Sequence, residues 1–377
     1  MIDFSKPIPF ITTWQGILKT HVRVNTTYES TPKRIMREWY EDLCSADELQ
    51  RILNVQNAQD YILRAAVDTI AKKPVLCRVI LEHKRISGTR WSLEKFFMPI
   101  TYGYYNFKRH IPIELQHELD NIGTGCLLSN HMNGIIFTSH YGLCSVLSYS
   151  LKYVIEYATL ALLPLEGDIS DVIRTTAMIL AIRISKGIER LDLDINKRCH
   201  LPKRHRKSMR EPLPYICTFI AGHEYSHYLN KDIKPHTRKR LMPEDAQTLD
   251  IDSFFTFGKI KEFNADVTAL RLPEFSKNEY SDYYLYSLLW FAILAIFETA
   301  SHREDESIHI SSHPSAMQRY YNILKKAPKP YDFDEMENIY TTALPQAIDF
   351  WRDAIAKDVA IHPEIYNSYG SFYVEQD

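Results

Sequence analysis

Residues 221–227 read Ala221-Gly222-His223-Glu224-Tyr225-Ser226-His227, an H-E-x-x-H run that constrains this chain more than any other stretch. At 3.6 residues per turn, a helix sets His223 and His227 on one face, one turn apart, where both imidazoles can reach one metal ion. Neutral imidazole ligates Zn²⁺ at about 2.0–2.1 Å, and two rings from one rigid turn lose little further freedom on binding. Glu224 lies beside the first ring and can reach water at the metal without ligating it, so it reads as a general base.

Two histidines and a glutamate in a chain of 377 residues are only suggestive, and the pattern needs a third ligand. The segment from Lys261 to Leu270 supplies one. It reads as a helix, with Phe263, Val267 and Leu270 along one side and Glu262 and Asp266 paired four apart on another. Glu262 completes a His₂Glu zinc site with water in the fourth position. Asp266, one turn on, is placed to accept the second ring N–H of His223 and so set its tautomer. The competing reading makes Glu262 and Asp266 two solvated helix charges.

His223-Glu224-x-x-His227, then Glu262-x-x-Ala265-Asp266, then Ser312-His313-Pro314-Ser315 with Arg319, resembles the gluzincin metallopeptidases. The likeness is to the prenyl-protease and heat-shock membrane-protease branch and its small soluble relatives. It covers roughly residues 125–325 and implies a zinc peptidase core built from an active-site helix, a glutamate helix and an upstream β-element. A weaker similarity to the phage-exclusion peptidases would imply a role in bacterial defence. His313 has two readings, the first implied by the resemblance and the second read from Pro314. It donates a hydrogen bond to the oxyanion of a tetrahedral intermediate, or it belongs to the start of a helix that opens at Pro314 and runs to about Lys325.

Composition bounds the rest. The chain is long enough to bury a sizeable core, and 45% hydrophobic with 24% charged residues is ordinary for a globular protein. A net charge of −2 sets up no dominant field for nucleic acid or membrane. Cys44, Cys77, Cys126, Cys144, Cys199 and Cys217 are scattered without a C-x-x-C pair, which argues against a disulfide framework or a cysteine zinc site and for a reducing, cytoplasmic compartment. The N-terminus lacks a basic region followed by an apolar run. Tyr149–Leu165 carries Lys152 and Glu156, and the apolar run from Tyr284 to Phe297 stops at Glu298, so neither reads as a transmembrane segment.

Along the chain, Ser45-Ala46-Asp47-Glu48 is a capping box that predicts a helix continuing to about Lys72. A second helix is expected over Pro112–Asp120. The aromatics from Trp91 to Phe107 read as packing residues and turn anchors rather than base-stacking platforms. Asn133-Gly134 between two apolar runs predicts a β-hairpin with strands over 126–132 and 135–140, the candidate edge for an extended substrate. His131 and His140 in it read as structural. Helices are expected over Ser145–Leu163 and Asp171–Arg190. A basic linker spans 197–210 and a second basic cluster spans 231–240. Both read as solvated loops, with a competing role in attracting a partner. Pro212 and Pro214 suit the start of the active-site helix, and Gly222 points to close packing beneath the metal. Residues 230–258 read as a lid or specificity loop. Phe333–Ala356 reads as one or two helices interrupted at Pro345, and residues 362–377 as a docked tail.

The expected fold is α+β and predominantly helical. A mostly helical region over 1–124 precedes a zincin-like metallopeptidase core over 125–330, and a helical extension with a tail occupies 331–377. The expected function is zinc-dependent hydrolysis of an intracellular protein or peptide, with one catalytic Zn²⁺ on His223, His227 and Glu262, and Glu224 as base. Two rivals stand beside it. One is a metal-binding interaction protein whose activity stays latent until an activating partner engages it. The other is a nucleic-acid-responsive sensor in which the metal serves the fold.

Overall fold

The structure, a computed structural model, describes residues 40–128, 134–163, 169–198, 201–234, 237, 239–241, 253–301 and 314–372. It is α+β and predominantly helical, with a three-stranded mixed sheet. Among the described residues the first elements are α1 (Ala46–Leu53), α2 (Ala58–Lys72), α3 (Pro74–Ser87), α4 (Leu93–Arg109) and α5 (Ile113–Leu119). The Ser45/Glu48 capping box is present, but the helix it opens ends at Leu53 instead of running to Lys72. The Asn57 side chain accepts from the Asp60 N–H and caps α2, because asparagine at that position satisfies an orphan donor and favours a fresh start. The aromatics of 91–107 lie on or just before α4, with Trp91, Phe97, Tyr104 and Phe107 buried.

The sheet corrects the expected hairpin. β1 (Gly123–Leu127) and β2 (Gly134–Ser139) do not pair with each other; β3 (Gly142–Ser148) lies between them, parallel to β1 and antiparallel to β2. The hairpin is therefore β2–β3, turning at His140-Tyr141, with Gly142 at φ +121°, a value that suits glycine. Five consecutive buried residues at the end of β3 explain its central place: a strand buried on both faces belongs inside the sheet. This pairing also takes Ser145–Ser148 from the expected helix, so α6 starts at Ser150 and ends at Leu162. His140 is exposed at the turn, and His131 and Asn133 lie outside the described residues.

The remaining elements are α7 (Asp171–Ser185), α8 (Lys203–Ser208), α9 (Pro212–Leu229), β4 (Lys239–Leu241) paired with β5 (Ser253–Phe255), α10 (Lys259–Arg271), α11 (Lys277–Ser301), α12 (Ala316–Lys326), α13 (Phe333–Asn338), α14 (Leu344–Ile361) and α15 (Pro363–Asn367). A π-helical stretch, Ile339–Ala343, joins α13 to α14, so Pro345 sits in the first turn of a helix rather than interrupting one. Pro314 likewise precedes the cap of α12, and the N-cap is Ser315, whose side chain accepts from the Gln318 N–H.

α9 is the central helix. Every residue from Ile216 to His227 is buried, which is the pattern of a helix surrounded by protein. Its neighbours come unusually close. A Cβ on Gly103 of α4 would lie 2.3 Å from the Cys217 carbonyl oxygen, and one on Gly222 would lie 2.4 Å from the Phe107 ring. The packing that Gly222 implies is thus against α4. α11 is 25 residues long, longer than its 14-residue apolar stretch. It is the one described helix long and apolar enough to cross a membrane, and 78% of its most apolar window is buried.

Part of the basic linker is also internal. Arg198 is 1% exposed and holds Glu189 at 2.9 Å and Asp192 at 2.5 Å, while Arg183 also binds Glu189. Ser371 and the Phe372 N–H bond into the same cluster, so buried charge docks the tail. Lys203, Arg204, Arg206 and Lys207 are exposed.

Candidate metal centre

α9 presents His223 and His227 one turn apart, and α10 crosses it with Glu262 and Asp266 turned inward; both acids are buried. The two helix charges are therefore not solvated. His223, His227 and Glu262 each offer one atom to a group lying within 4.8 Å of one another. The three separations are 3.2 Å between the two Nε2 atoms, 3.3 Å from His223 Nε2 to Glu262 Oε2, and 3.8 Å from His227 Nε2 to Glu262 Oε1. Tetrahedral zinc with bonds of about 2.0–2.1 Å needs ligand atoms about 3.3–3.4 Å apart. The donor set suits such an ion: the two imidazole nitrogens stand at about that spacing, and the carboxylate turns a different oxygen toward each ring.

The supports of each ring are equally defined. His223 Nδ1 lies 2.9 Å from Asp266 Oδ1. Arg319 Nη2 is also 3.2 Å from that nitrogen, but it donates to Asp266 Oδ1 at 2.5 Å while its Nε donates to Oδ2 at 2.8 Å. We assign the Nδ1 proton to the carboxylate, since the guanidinium carries only donors. Arg319 Nη2 is 3.7 Å from Glu262 Oε2, and its guanidinium lies over the Phe291 ring at 4.8 Å. On the other ring, His227 Nδ1 is 3.1 Å from Asp232 Oδ2, and Phe257 stacks on the imidazole with centroids 3.6 Å apart.

Burial and neighbouring charge divide the two histidines. Burial and the Arg319 charge disfavour a cationic His223, but hydrogen bonds to Asp266 and Glu262 outweigh them and raise it to about 9. Burial dominates at His227 and lowers it to about 4. Burial pushes the Asp266 carboxyl up, yet Arg319 and His223 hold it below the usual carboxylate range.

Glu224 is buried beside the cluster. The first residue of β2 crosses over it: a Cβ on Gly134 would sit 3.0 Å from Glu224 Cγ and 3.1 Å from Oε1. β2, an edge of the three-stranded sheet, is thus the strand that borders the base. His313 lies outside the described residues, as does most of the 230–258 loop. A cavity of about 730 Å³ opens between α2, α4 and β1; its lining includes Tyr104 and Tyr225 but none of the three candidate ligands.

Three contributors escaped the residue patterns. Arg319 came with the motif but without a role, and it reaches the site from a helix distant in sequence. Asp232 and Phe257 lie in aperiodic chain, where only proximity to a helix end or to the glutamate helix would have drawn notice. In comparisons with protein-family models, with curated proteins and with solved structures, nothing matches this chain.

Proposed function

We propose that this chain is a zinc-dependent peptidase of the gluzincin type, hydrolysing a protein or peptide substrate. The convergence of one ligand atom each from His223, His227 and Glu262 to within 4.8 Å of one another, with Glu224 buried next to them on α9, carries the reading. The crossing of α9 and α10 with β2 alongside supports a zincin-like core. When bound, zinc supplies Lewis acidity, polarising a substrate carbonyl and acidifying a water molecule.

The chain's own groups do the rest. Glu224 takes a proton from the attacking water at a carboxylate oxygen, the remaining hydroxyl adds to the scissile carbon, and Glu224 returns the proton to the leaving amine as the C–N bond breaks. Asp266 holds His223 through Nδ1 and leaves Nε2 facing the ligand point. Arg319 keeps Asp266 ionised. His313 remains the candidate donor to the oxyanion.

Metal content of protein purified without chelators, read by mass spectrometry, tests this. Wild type is expected to carry about one zinc per chain and Glu262→Ala far less, as one of three protein ligands is gone. Zinc-free wild type after incubation with the ion near pH 8 would remove the proposal.

Proton release supplies a second check. His223 is raised to about 9 and His227 lowered to about 4, so at neutral pH only His223 must surrender a proton to become a ligand. In the metal-free protein the raised value favours folding below pH 6.5, its unfolded value, and that contribution is lost as pH climbs through 9. Zinc affinity is therefore expected to rise with pH up to about 9, about tenfold per unit. Calorimetry at pH 7 in buffers of different ionisation enthalpy should show about one proton released per zinc. No release would mean that His223 is not the protonated ligand.

A further inference from the structure

The end of α9 carries a feature that the metal cluster by itself does not require. Asn230 caps the helix, Lys231 follows in the left-handed region at φ +58°, and Asp232 comes next. The Lys231 N–H bonds the Tyr228 carbonyl at 3.0 Å and the Asp232 N–H bonds the His227 carbonyl at 2.9 Å. These are the two backbone bonds of a Schellman termination, in which glycine usually occupies the left-handed position. A lysine there crowds its Cβ against the following carbonyl oxygen, and such strain persists only where the surroundings over-determine it.

The consequence of that turn is geometric. It reverses the chain so that the residue after the left-handed one folds back onto the last helical turn. Asp232 thereby brings Oδ2 to 3.1 Å from His227 Nδ1 while 7% exposed. Lys261, one residue before Glu262, holds Asp232 from the other side, with Nζ 3.4 Å from Oδ1 and 3.1 Å from the backbone carbonyl. The Thr237 hydroxyl donates to that carbonyl at 2.9 Å. Phe257 closes the face of the ring at an interplanar angle of 16°.

We infer that Asp232 is the positioning residue for His227, held on α9 by a left-handed helix termination and on α10 by Lys261, so that the ring keeps its proton on Nδ1 and turns Nε2 to the metal. The inference rests on the proposed metal site. A carboxylate behind a ligating histidine fixes ring orientation and raises ligand basicity, and its loss weakens metal binding about 10–100-fold. Lys261 couples the second ligand to the helix that carries the third.

Chelator competition with zinc, run on wild type, Asp232→Ala and Asp232→Asn, is the test. Asp232→Ala should weaken zinc affinity about 10–100-fold and alter the visible spectrum of the cobalt-loaded protein. Asp232→Asn should recover most of the affinity, because its amide oxygen can still accept the Nδ1 proton. An alanine variant that folds and binds zinc as tightly as wild type overturns the inference. Should the variant fail to fold, ¹⁵N resonances of histidine-labelled wild type decide: Nδ1–H at His227 supports it, and Nε2–H in the metal-free protein or ligation through Nδ1 overturns it. Wild type that binds no zinc defeats the metal reading alone, since the tautomer of the metal-free ring is still measurable.

Discussion

Glu224→Gln is expected to lower peptide hydrolysis by about 10²–10⁴-fold, the usual worth of a positioned proton-transfer group, while zinc content stays at the wild-type level. The amide keeps the size of the side chain and its place between α9 and the backbone of β2, which passes close enough at Gly134 that a Cβ there would meet Glu224 Cγ at 3.0 Å. It cannot take a proton from water. Because Glu224 stands outside the His223, His227 and Glu262 group, the ligand set is untouched. Cleavage of a quenched fluorescent peptide library, with zinc measured on the same samples, reads both quantities. Unchanged turnover in the variant would take the base from Glu224, and lost zinc would show that Glu224 acts on the metal itself.

The second large effect belongs to Arg319→Leu, expected to destabilise the metal-free protein by about 3–5 kcal/mol, the range for stripping the partner from a buried charge. Asp266 is 0% exposed and accepts two hydrogen bonds from the guanidinium. Without them its buried carboxylate lies near that of Glu262, and His223 at 2.9 Å is left to balance the charge. Protonation of His223 offsets part of the loss, since the Arg319 charge normally opposes that proton. Zinc should restore a further share, because a divalent cation replaces the missing charge and stabilises the folded state by mass action. Urea unfolding with chelator and with excess zinc measures both. A loss below about 1 kcal/mol, typical of an exposed pair, would mean that Arg319 is not holding Asp266 in place.

How far the site could be read in advance follows from where each residue lies. His223 and His227 share one helical turn, and Glu262 and Asp266 share another, so helical period alone sets each pair on a single face. What periodicity cannot express is that the two faces meet. The acidic side of α10 could equally have pointed to solvent, and it is buried against the two imidazoles of α9. Arg319 came with the third motif, but nothing in its local pattern gave it a role until the packing of α12 brought it within reach of Asp266.

The strands show the same division from the other side. Turn chemistry at Asn133-Gly134 favours a hairpin there, but the more thoroughly buried strand, Gly142–Ser148, claimed the centre and left Gly134 at the start of an edge strand. Burial of Cys144, Val146 and Leu147 within that strand outweighed a two-residue turn preference because a buried side chain such as valine or leucine contributes about 1.5–3 kcal/mol. Similarly, Arg198 lies in a basic stretch that reads as solvated, yet Glu189 and Asp192 draw it inside.

By itself the amino-acid sequence determined the helical character of the chain, the face shared by His223 and His227 and the pairing of Glu262 with Asp266, all consequences of spacing within one or two turns. Tertiary structure alone decided the strand order, the approach of β2 to Glu224, the burial of Arg198, and the arrival of Arg319 and Asp232 behind the two histidines. Those depend on which surfaces bury one another, a property of the whole core rather than of any local stretch.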